Sequence, residues 1–346
     1  MKKINYVQFS LFILVIAFIA VFLAGCSDDD NNADDHGKRD TMAQSQIYMQ
    51  WFYENNSGEL WDHFSDSMKQ VFNGSLQQFA DYQEDVLRES GVETEIIDER
   101  MLFFEPNAAY ERASLYEKAG KLAFYWFMDS SNLILQLEIR PLPEEAPTSY
   151  LYYETITALR LPFEGEWVTV WGGRNTFDNY HAEATDQRFA YDFMVVKNGI
   201  YFDGNGSRNE DFFCFGQPIS APADGIVVAL ENDVTDNIPG EVNSEQPLGN
   251  YMIIDHGNDE FSFMVHFKKG SVTVSVGQSI TTGQQVGECG NSGFSDLPHL
   301  HYHLQNTPVP FSGEGLPAYF NSYFANETFV DRGEPIRGEK VQTIKR

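Results

Sequence analysis

The segment 298–304, with the sequence PHLHYHL, alternates histidines with apolar or aromatic residues. A period of two predicts a β-strand, on which His299, His301 and His303 share one face at spacings of about 6.5–7 Å. The chain has eight histidines in all, so three within five residues indicate a metal-binding or catalytic role. The alternative interpretation is a half-exposed strand whose polar side chains face solvent.

The N-terminus has the organisation of an export signal. A positively charged start, MKK, precedes an apolar stretch over residues 11–23, and the tetrapeptide LAGC ends at Cys26. This order resembles a bacterial lipoprotein signal peptide over residues 1–25, after which the cysteine is lipidated and becomes the new N-terminus. A transmembrane anchor is the alternative, but the apolar stretch is shorter than the roughly 20 residues that a span needs. We therefore predict lipidation at Cys26 and an extracytoplasmic, membrane-anchored protein.

Charge and cysteine usage narrow the choice of partners. The formal net charge is −28 and is spread along the chain, which argues against nucleic acid or an anionic membrane surface as partner. The acidic stretch 26–45 is typical of a solvated tether. Apart from the cysteine at the predicted lipidation site, the chain has Cys214 and Cys289, and the sequence leaves open whether they pair or remain buried thiols.

The roughly 320 residues after the predicted signal peptide are enough for two domains. In the first, apolar residues at 64, 68, 71 and 72 follow one helix face, and Ser75 with Gln78 indicates the start of a second helix that ends at Gly91. The turn DSSN at 129–132 separates two strand-like runs and predicts a hairpin, with further strands at 150–161 and 167–171.

Helices followed by an antiparallel meander predict an α+β domain over residues 46–171. This part resembles the small cone-shaped domains of the cystatin-like, nuclear-transport-factor-two-like superfamily. It lacks an evident set of acid, base and nucleophile, which favours a binding or spacer module. From residue 172 to residue 346, short strands separated by glycine turns predict an all-β antiparallel domain.

Six segments of this second domain occur in an order that resembles a known family. They are RFAYDF at 188–193, SAPADGIV at 220–227, GNYMIIDHG at 249–257, FSFMVHF at 261–267, VGQ through GQQVG at 276–287, and GNSG at 290–293. Together with the histidine motif they resemble the lysostaphin-type zinc endopeptidases, which cut peptide cross-links in bacterial peptidoglycan. The resemblance covers about residues 174–308 and implies a Zn²⁺ cofactor and peptidoglycan peptides as substrate.

The resemblance also implies roles for individual residues. In that family, zinc is held by the histidine and aspartate of a His-x-x-x-Asp segment and by the second histidine of a His-x-His. Carried over by position, Asp192 and His301 are metal ligands, and His266 and His299 are catalytic residues that do not bind the metal. The residue four before Asp192 is Arg188, whose permanently charged guanidinium cannot bind zinc.

A catalytic zinc site with three protein ligands therefore needs another donor. His181 lies eleven residues before Asp192, and we predict that a loop or bulge brings it to the metal. The alternatives are His303 as the third ligand, or a site that has lost its metal. Arg188 is a candidate for binding a substrate carboxylate, or for pairing with an acidic residue of the protein.

Three functional hypotheses follow. The first is a lipid-anchored zinc metalloendopeptidase that remodels the cell wall. The second is a catalytically degenerate relative that binds peptidoglycan or regulates an amidase, which the replacement at Arg188 favours. The third is an extracytoplasmic binding protein whose N-terminal cone holds a small ligand. The presence of Asp192, His266, His299 and His301 together favours the first, because a binding module has no need for this set.

Overall fold

A computed structural model describes residues 35–104, 107–197 and 199–344 of the chain. The predicted signal peptide and the lipidation site at Cys26 lie outside these residues. Within the described part of the chain, none of the helices combines the length and the apolar character that a membrane span requires.

The chain divides into two compact units, Met1–Leu142 and Pro143–Arg346. From residue 35 on, where the structure describes it, the first unit has four helices followed by four strands, which is the α+β order that the sequence predicts. Its likeness to cystatin-like domains stays a prediction. The elements are α1 (Asp35–Tyr53), α2 (Ser57–Asp62), α3 (Asp66–Val71), α4 (Leu76–Ser90), β1 (Glu93–Phe104), β2 (Asn107–Tyr116), β3 (Gly120–Met128) and β4 (Ile134–Pro141). The four strands form an antiparallel sheet in chain order.

Two local predictions for the first unit are confirmed. The Oγ atom of Ser75 accepts a hydrogen bond from the backbone N–H of Gln78 at 3.3 Å, so Ser75 caps the start of α4. The hairpin between β3 and β4 turns on Asp129, whose Oδ1 accepts from the backbone N–H groups of Ser131 and Leu133. In both places a short polar side chain satisfies backbone donors that the element itself leaves free.

Two other features of the first unit differ from the sequence prediction. Helix α1 begins inside the stretch 26–45 that the sequence predicts to be a solvated tether, because α1 buries Tyr48, Met49 and Phe52 in the core of this unit. The helix predicted around residue 64 is instead divided into α2 and α3. The break between α2 and α3 lies at Phe64. It occurs there because the backbone groups of His63 and Ser65 form hydrogen bonds with Ile134 of β4.

Together with short 3-10 helices at Tyr180–Glu183 and Asn209–Asp211, the regular secondary structure of the second unit consists mainly of antiparallel strands, as the sequence predicts. They are β5 (Glu166–Trp171), β6 (Tyr191–Met194), β7 (Pro218–Ser220), β8 (Gly225–Glu231), β9 (Asn250–Asp255), β10 (Phe261–Phe267), β11 (Ser279–Ile280), β12 (Gln285–Glu288), β13 (Leu300–Gln305), β14 (Gly315–Leu316), β15 (Phe320–Ala325), β16 (Thr328–Gly333) and β17 (Lys340–Thr343). The main sheet has the order β11-β8-β9-β10-β13-β6-β5-β17-β15-β16, with β14 on β13, and β7 pairs with β12.

The boundary between the units lies about 30 residues earlier than the predicted position near residue 172. Strand β5 pairs with β6 and β17, so the segment before residue 172 packs in the second unit. The predicted strand at 150–161 is irregular in the structure. Its backbone N–H groups at Ile156 and Thr157 donate to the buried carboxylate of Glu260, at 2.6 and 2.8 Å, instead of to a neighbouring strand.

Three adjacent strands in the middle of the main sheet position the candidate site. Strand β13 lies between β10 and β6, and His301 of β13 stands opposite Asp192 of β6 on one side and Val265 of β10 on the other. All six residues of β13 and all four of β6 are buried. Polar side chains on these strands therefore face the interior of the second unit or one another.

Candidate metal centre

The centre of the site is a contact between two neighbouring strands. Nδ1 of His301 lies 2.9 Å from Oδ1 of Asp192, because β13 and β6 place these residues directly opposite each other. His299, just before β13, brings its Nε2 to 3.6 Å from the same carboxylate oxygen. The alternation of the histidine motif thus gathers its side chains on one side of the strand.

The fourth group at this centre, His181, comes from a short 3-10 helix (Tyr180–Glu183) in the loop between β5 and β6. Its Nε2 lies 3.6 Å from Oδ2 of Asp192, and its ring centre lies 4.8 Å from that of His301. This loop brings His181 close to Asp192, although His181 lies eleven residues earlier in the sequence.

Asn179 fixes the orientation of His181. Its Oδ1 accepts from the backbone N–H of His181 at 3.2 Å and faces Nδ1 of the same residue at 2.9 Å. The Nδ2 group of Asn179 donates to the carbonyls of Gly173 and Ala190, so the amide oxygen must face the imidazole. Nδ1 of His181 therefore carries the proton, and the lone pair of Nε2 is directed toward Asp192.

His181, Asp192 and His301 each offer one donor atom, and these atoms lie within 4.8 Å of one another. All three residues are buried, with 4%, 4% and 5% of their surface exposed. Two imidazole nitrogens and one carboxylate oxygen form the kind of donor set found in catalytic zinc sites, which keep a fourth position for water or substrate. The residues present therefore fit a zinc ion.

The electrostatics of the site favour the metal-binding forms of these side chains. Burial lowers the pKa of His181 to about 3, although the neighbouring Asp192 opposes this shift. Burial alone would raise the pKa of Asp192, but His181, His299 and His301 lower it by more, and the net pKa lies below its ordinary value. At neutral pH the site thus presents a neutral imidazole and an ionised carboxylate, which are the forms that bind metals.

His266 reaches the site from β10 at a point where the strand is irregular. The pairing with β9 shifts between Val265 and Phe267, and His266 has a φ of +66°, which is uncommon for a residue with a side chain. Its Nδ1 lies 2.7 Å from the carbonyl oxygen of Ser292, to which it must donate. Its ring centre is 4.8 Å from that of His299, and its free nitrogen is Nε2.

His299 is held in the same tautomer. Its Nδ1 lies 2.8 Å from the carbonyl oxygen of Leu297, which can only accept, so the lone pair is on Nε2. Burial lowers the pKa of His266 well below its ordinary value. The site therefore places the proton-accepting nitrogens of His266 and His299 beside the candidate metal ligands.

A close crossing of two backbone segments holds the carbonyl of Ser292. Gly249 and Gly293 both have positive φ, at +59° and +84°, and a Cβ atom on Gly293 would lie 2.3 Å from the backbone nitrogen of Gly249. The hydroxyl of Ser292 accepts from the N–H of Asn250 and donates to the carbonyl of Phe267. Glycine is required here because the two backbones leave no room for a side chain.

His303 and Arg188 do not belong to this donor group. Both ring nitrogens of His303 are engaged, by Nε2 of His301 at 3.1 Å and by Oε1 of Gln305 at 3.3 Å. The guanidinium of Arg188 is buried, and its Nη1 donates to the carbonyl of Ala182 at 3.1 Å. A role for Arg188 in binding a substrate carboxylate stays a prediction.

Sequence reasoning missed three residues at this site, namely Asn179, Tyr180 and Gln305. The hydroxyl of Tyr180 lies 3.4 Å from Oδ2 of Asp192, and the ring packs edge-on against Trp171. Asparagine is a preferred residue at the start of a helix, and Asn179 caps the 3-10 helix that carries His181, so its residue type was available as a signal. The contacts of Tyr180 depend on the tertiary fold, whereas Gln305 bonds nearby residues of β13 and of the irregular segment after it, whose conformation the sequence pattern does not reveal.

Part of the second unit matches a known protein family. Residues 207–312 match the family profile described as Peptidase family M23. The matched region includes His266, His299 and His301, whereas Asp192 precedes it. The C-terminal half of the chain therefore contains a peptidase M23 domain.

Parts of the chain are also similar to curated relatives. The protein named Peptidoglycan DD-endopeptidase ShyA, from Vibrio cholerae, is 37% identical over 104 residues, which are 30% of this chain and 21% of that protein. A protein named Uncharacterized metalloprotease, from Haemophilus influenzae, is 31% identical over 87 residues, or 25% of this chain and 16% of that protein. The chain thus spans about a fifth or less of the length of these relatives.

Solved structures of peptidases also match the chain. The catalytic domain of the antimicrobial peptidase lysostaphin from Staphylococcus simulans is 21% identical with a TM-score of 0.26, covering 44% of this chain and 89% of that chain. A mutant catalytic domain of the prophage-encoded M23 protein EnpA from Enterococcus faecalis is 20% identical with a TM-score of 0.29. The match covers 46% of this chain and 93% of that domain.

Proposed function

We propose that this protein is a lipid-anchored zinc metalloendopeptidase that hydrolyses peptide bonds in bacterial peptidoglycan. The observation that carries this proposal is the buried donor set of His181, Asp192 and His301 beside His266 and His299, whose Nδ1 atoms both face backbone carbonyls. The peptidase M23 domain in the same half of the chain supports the reaction class, and the relative named as a peptidoglycan endopeptidase supports the substrate.

In this proposal His181 and His301 provide nitrogen ligands and Asp192 provides the oxygen ligand. Zinc held there would act as a Lewis acid toward the scissile carbonyl and would lower the pKa of a water molecule toward neutrality. Burial keeps His181 neutral at neutral pH and Asp192 is ionised, so these two ligands need little change in protonation to bind a metal. His181 takes the place that Arg188 cannot fill.

The remaining chemistry belongs to His266 and His299. Each has its Nδ1 proton bound to a backbone carbonyl, so each can accept a proton at Nε2 from the attacking water. Once protonated, the same nitrogen can donate a hydrogen bond to the oxyanion that develops on the substrate, or a proton to the leaving amine. The two rings stand 4.8 Å apart between their centres, so one substrate group can contact both.

Digestion of purified peptidoglycan by the zinc-loaded protein tests the catalytic part of the proposal. Wild type should release soluble peptide fragments, and His266→Ala and His299→Ala should retain zinc and lose most of the hydrolysis. His63→Ala is the matched control, because it removes a histidine from the first unit and leaves the site untouched. A zinc-loaded wild type that binds peptidoglycan without cleaving it would contradict catalysis and favour a wall-binding regulator.

The lipid anchor is tested separately at Cys26. A labelled fatty acid should enter the mature protein, and Cys26→Ser should either release the protein from the membrane or leave it unprocessed. A Cys26→Ser protein that matures normally and stays membrane-bound would contradict the anchor, and it would leave the catalytic proposal standing.

A further inference from the structure

Three polar side chains on one face of β13 form a continuous line that leads away from the candidate metal. Nε2 of His301 lies 3.1 Å from Nδ1 of His303, and Nε2 of His303 lies 3.3 Å from Oε1 of Gln305. The three residues are 5%, 2% and 0% exposed. We call Gln305, His303 and His301, in this order, the relay.

We propose that Gln305 and His303 are positioning residues that fix His301 in the tautomer whose Nδ1 is free to bind the metal. This inference rests on the proposed zinc site, because it concerns how one of its ligands is oriented. It assigns to His303 a role other than that of a ligand.

The direction of the relay is set at Gln305. Its Nε2 lies 3.0 Å from the carbonyl oxygens of Thr307 and Val309 and also contacts that of Ser312. Carbonyl oxygens only accept hydrogen bonds, so the amide nitrogen must face them and Oε1 must face His303. His303 therefore donates from Nε2, and its neutral ring has an accepting lone pair at Nδ1.

The next contact follows from the same reasoning. Because Nδ1 of His303 accepts, Nε2 of His301 must donate to it, so in the neutral ring, which is the form that binds a metal, Nδ1 of His301 carries the lone pair. If the protons of the relay ran in the opposite direction, a lone pair on Nε2 of His303 would face the lone pairs of Oε1 of Gln305. Rotating the Gln305 amide by 180° to avoid this would place Oε1 against three carbonyl oxygens. The ring of His303 also stacks on Phe263, with centres 4.5 Å apart and planes 16° apart, and this contact holds the plane of the ring in line with the relay.

The relay thus fixes the tautomer of His301, as nearby hydrogen-bond acceptors fix the tautomers of His181, His266 and His299. The proton on Nδ1 of His181 is held by an amide oxygen, and those of His266 and His299 are held by backbone carbonyls. In His301 the metal-facing atom is Nδ1 instead, so its partner must accept at Nε2. His303 meets this need only because Gln305 holds the correct ring proton in place.

Zinc affinity of the purified protein, measured by competition with a chromophoric chelator, tests the relay. His303→Phe keeps an aromatic ring on Phe263 but removes the acceptor, and it should weaken zinc binding by about 10–100-fold. His303→Asn is the conservative control, because its side-chain oxygen can take the place of the imidazole Nδ1. It should recover most of the wild-type affinity.

Two-bond ¹H–¹⁵N spectra of the imidazoles provide a readout that a merely structural role would not change. Wild type, with and without zinc, should show His303 with its proton on Nε2, and Gln305→Leu should convert His303 to a mixture of tautomers. Wild-type zinc affinity in His303→Phe, or a proton on Nδ1 of His303 in wild type, would overturn the relay while the zinc site stands. A wild type that does not bind zinc would instead overturn the proposed function, and the relay with it.

Discussion

Oδ1 of Asp192 and Nδ1 of His301 face each other at 2.9 Å across the antiparallel pair β6 and β13. The backbone ladder between the two strands sets this separation, and both side chains are buried. If the relay leaves Nδ1 of His301 without a proton, two acceptors face each other, and a cation between them stabilises the arrangement. Two of the three proposed ligands therefore depend on the sheet, whereas the third depends on a loop.

The loop ligand depends on Asn179, so substitution there should weaken metal binding. Asn179→Ala removes the acceptor for Nδ1 of His181, and we expect about a 10–100-fold loss of zinc affinity by chelator competition. The carbonyls of Gly173 and Ala190 also lose their donor, which should lower the free energy of unfolding by about 1–3 kcal/mol. Asn179→Asp keeps an acceptor for His181 and should retain more affinity than Asn179→Ala. Equal affinities in wild type and Asn179→Ala would show that His181 needs no such support.

The backbone crossing behind His266 predicts a second effect. In Gly293→Ala the new methyl group would meet the backbone of Gly249 at 2.3 Å, which should displace the carbonyl of Ser292 and with it His266. Gly257→Ala is the matched control, because Gly257 has a similar φ of +78° but open space around it, and it should cost only about 1–2 kcal/mol of backbone strain. Urea unfolding and peptidoglycan hydrolysis measure both variants. If Gly293→Ala is no worse than Gly257→Ala in either measurement, the crossing does not position His266.

The low pKa of His181 predicts a pH dependence of folding stability. Its pKa in the folded protein is about 3, below the ordinary value of 6.5. Between these two pH values the unfolded chain binds a proton at His181 and the folded protein does not. Stability then falls as the pH drops below 6.5 and continues to fall toward pH 3. Between pH 7 and pH 5 this single group should cost about 2 kcal/mol.

Urea unfolding of the metal-free protein at these two pH values checks this sign. Wild type should lose about 2 kcal/mol more than His181→Asn, which lacks the titrating ring. A wild type whose stability changes no more than that of His181→Asn would mean that His181 is not held neutral by burial.

The strands that hold the site could be predicted from the sequence because their side-chain pattern is local. Alternation in residues 298–304 indicates one strand face, and short strands between glycines indicate an antiparallel sheet. The capping of α4 by Ser75 and the hairpin at Asp129 are likewise local events. In each case residues a few positions apart satisfy one another.

Features that depend on distant partners were harder to predict. The irregular segment 150–161 is apolar enough for a strand, but the carboxylate of Glu260, about 100 residues later, takes its backbone donors. The extent of α1 depends on the core that Tyr48 and Phe52 enter. The positive φ of His266 occurs at a register shift in β10, and its Nδ1 contacts Ser292, 26 residues later. The amide orientation of Gln305 is set by the carbonyls of Thr307, Val309 and Ser312, which follow the strand and leave no periodic signal.

The zinc content of the purified protein tests the central claim most directly. After reloading and removal of excess metal, wild type and the control His63→Ala should carry about one zinc per chain, because three protein ligands hold one ion. His181→Ala should lose most of its zinc, since two ligands leave the ion open to competition from water. A wild-type protein without zinc after reloading would contradict the metallopeptidase, and a His181→Ala variant with the full wild-type content would contradict His181 as the third ligand.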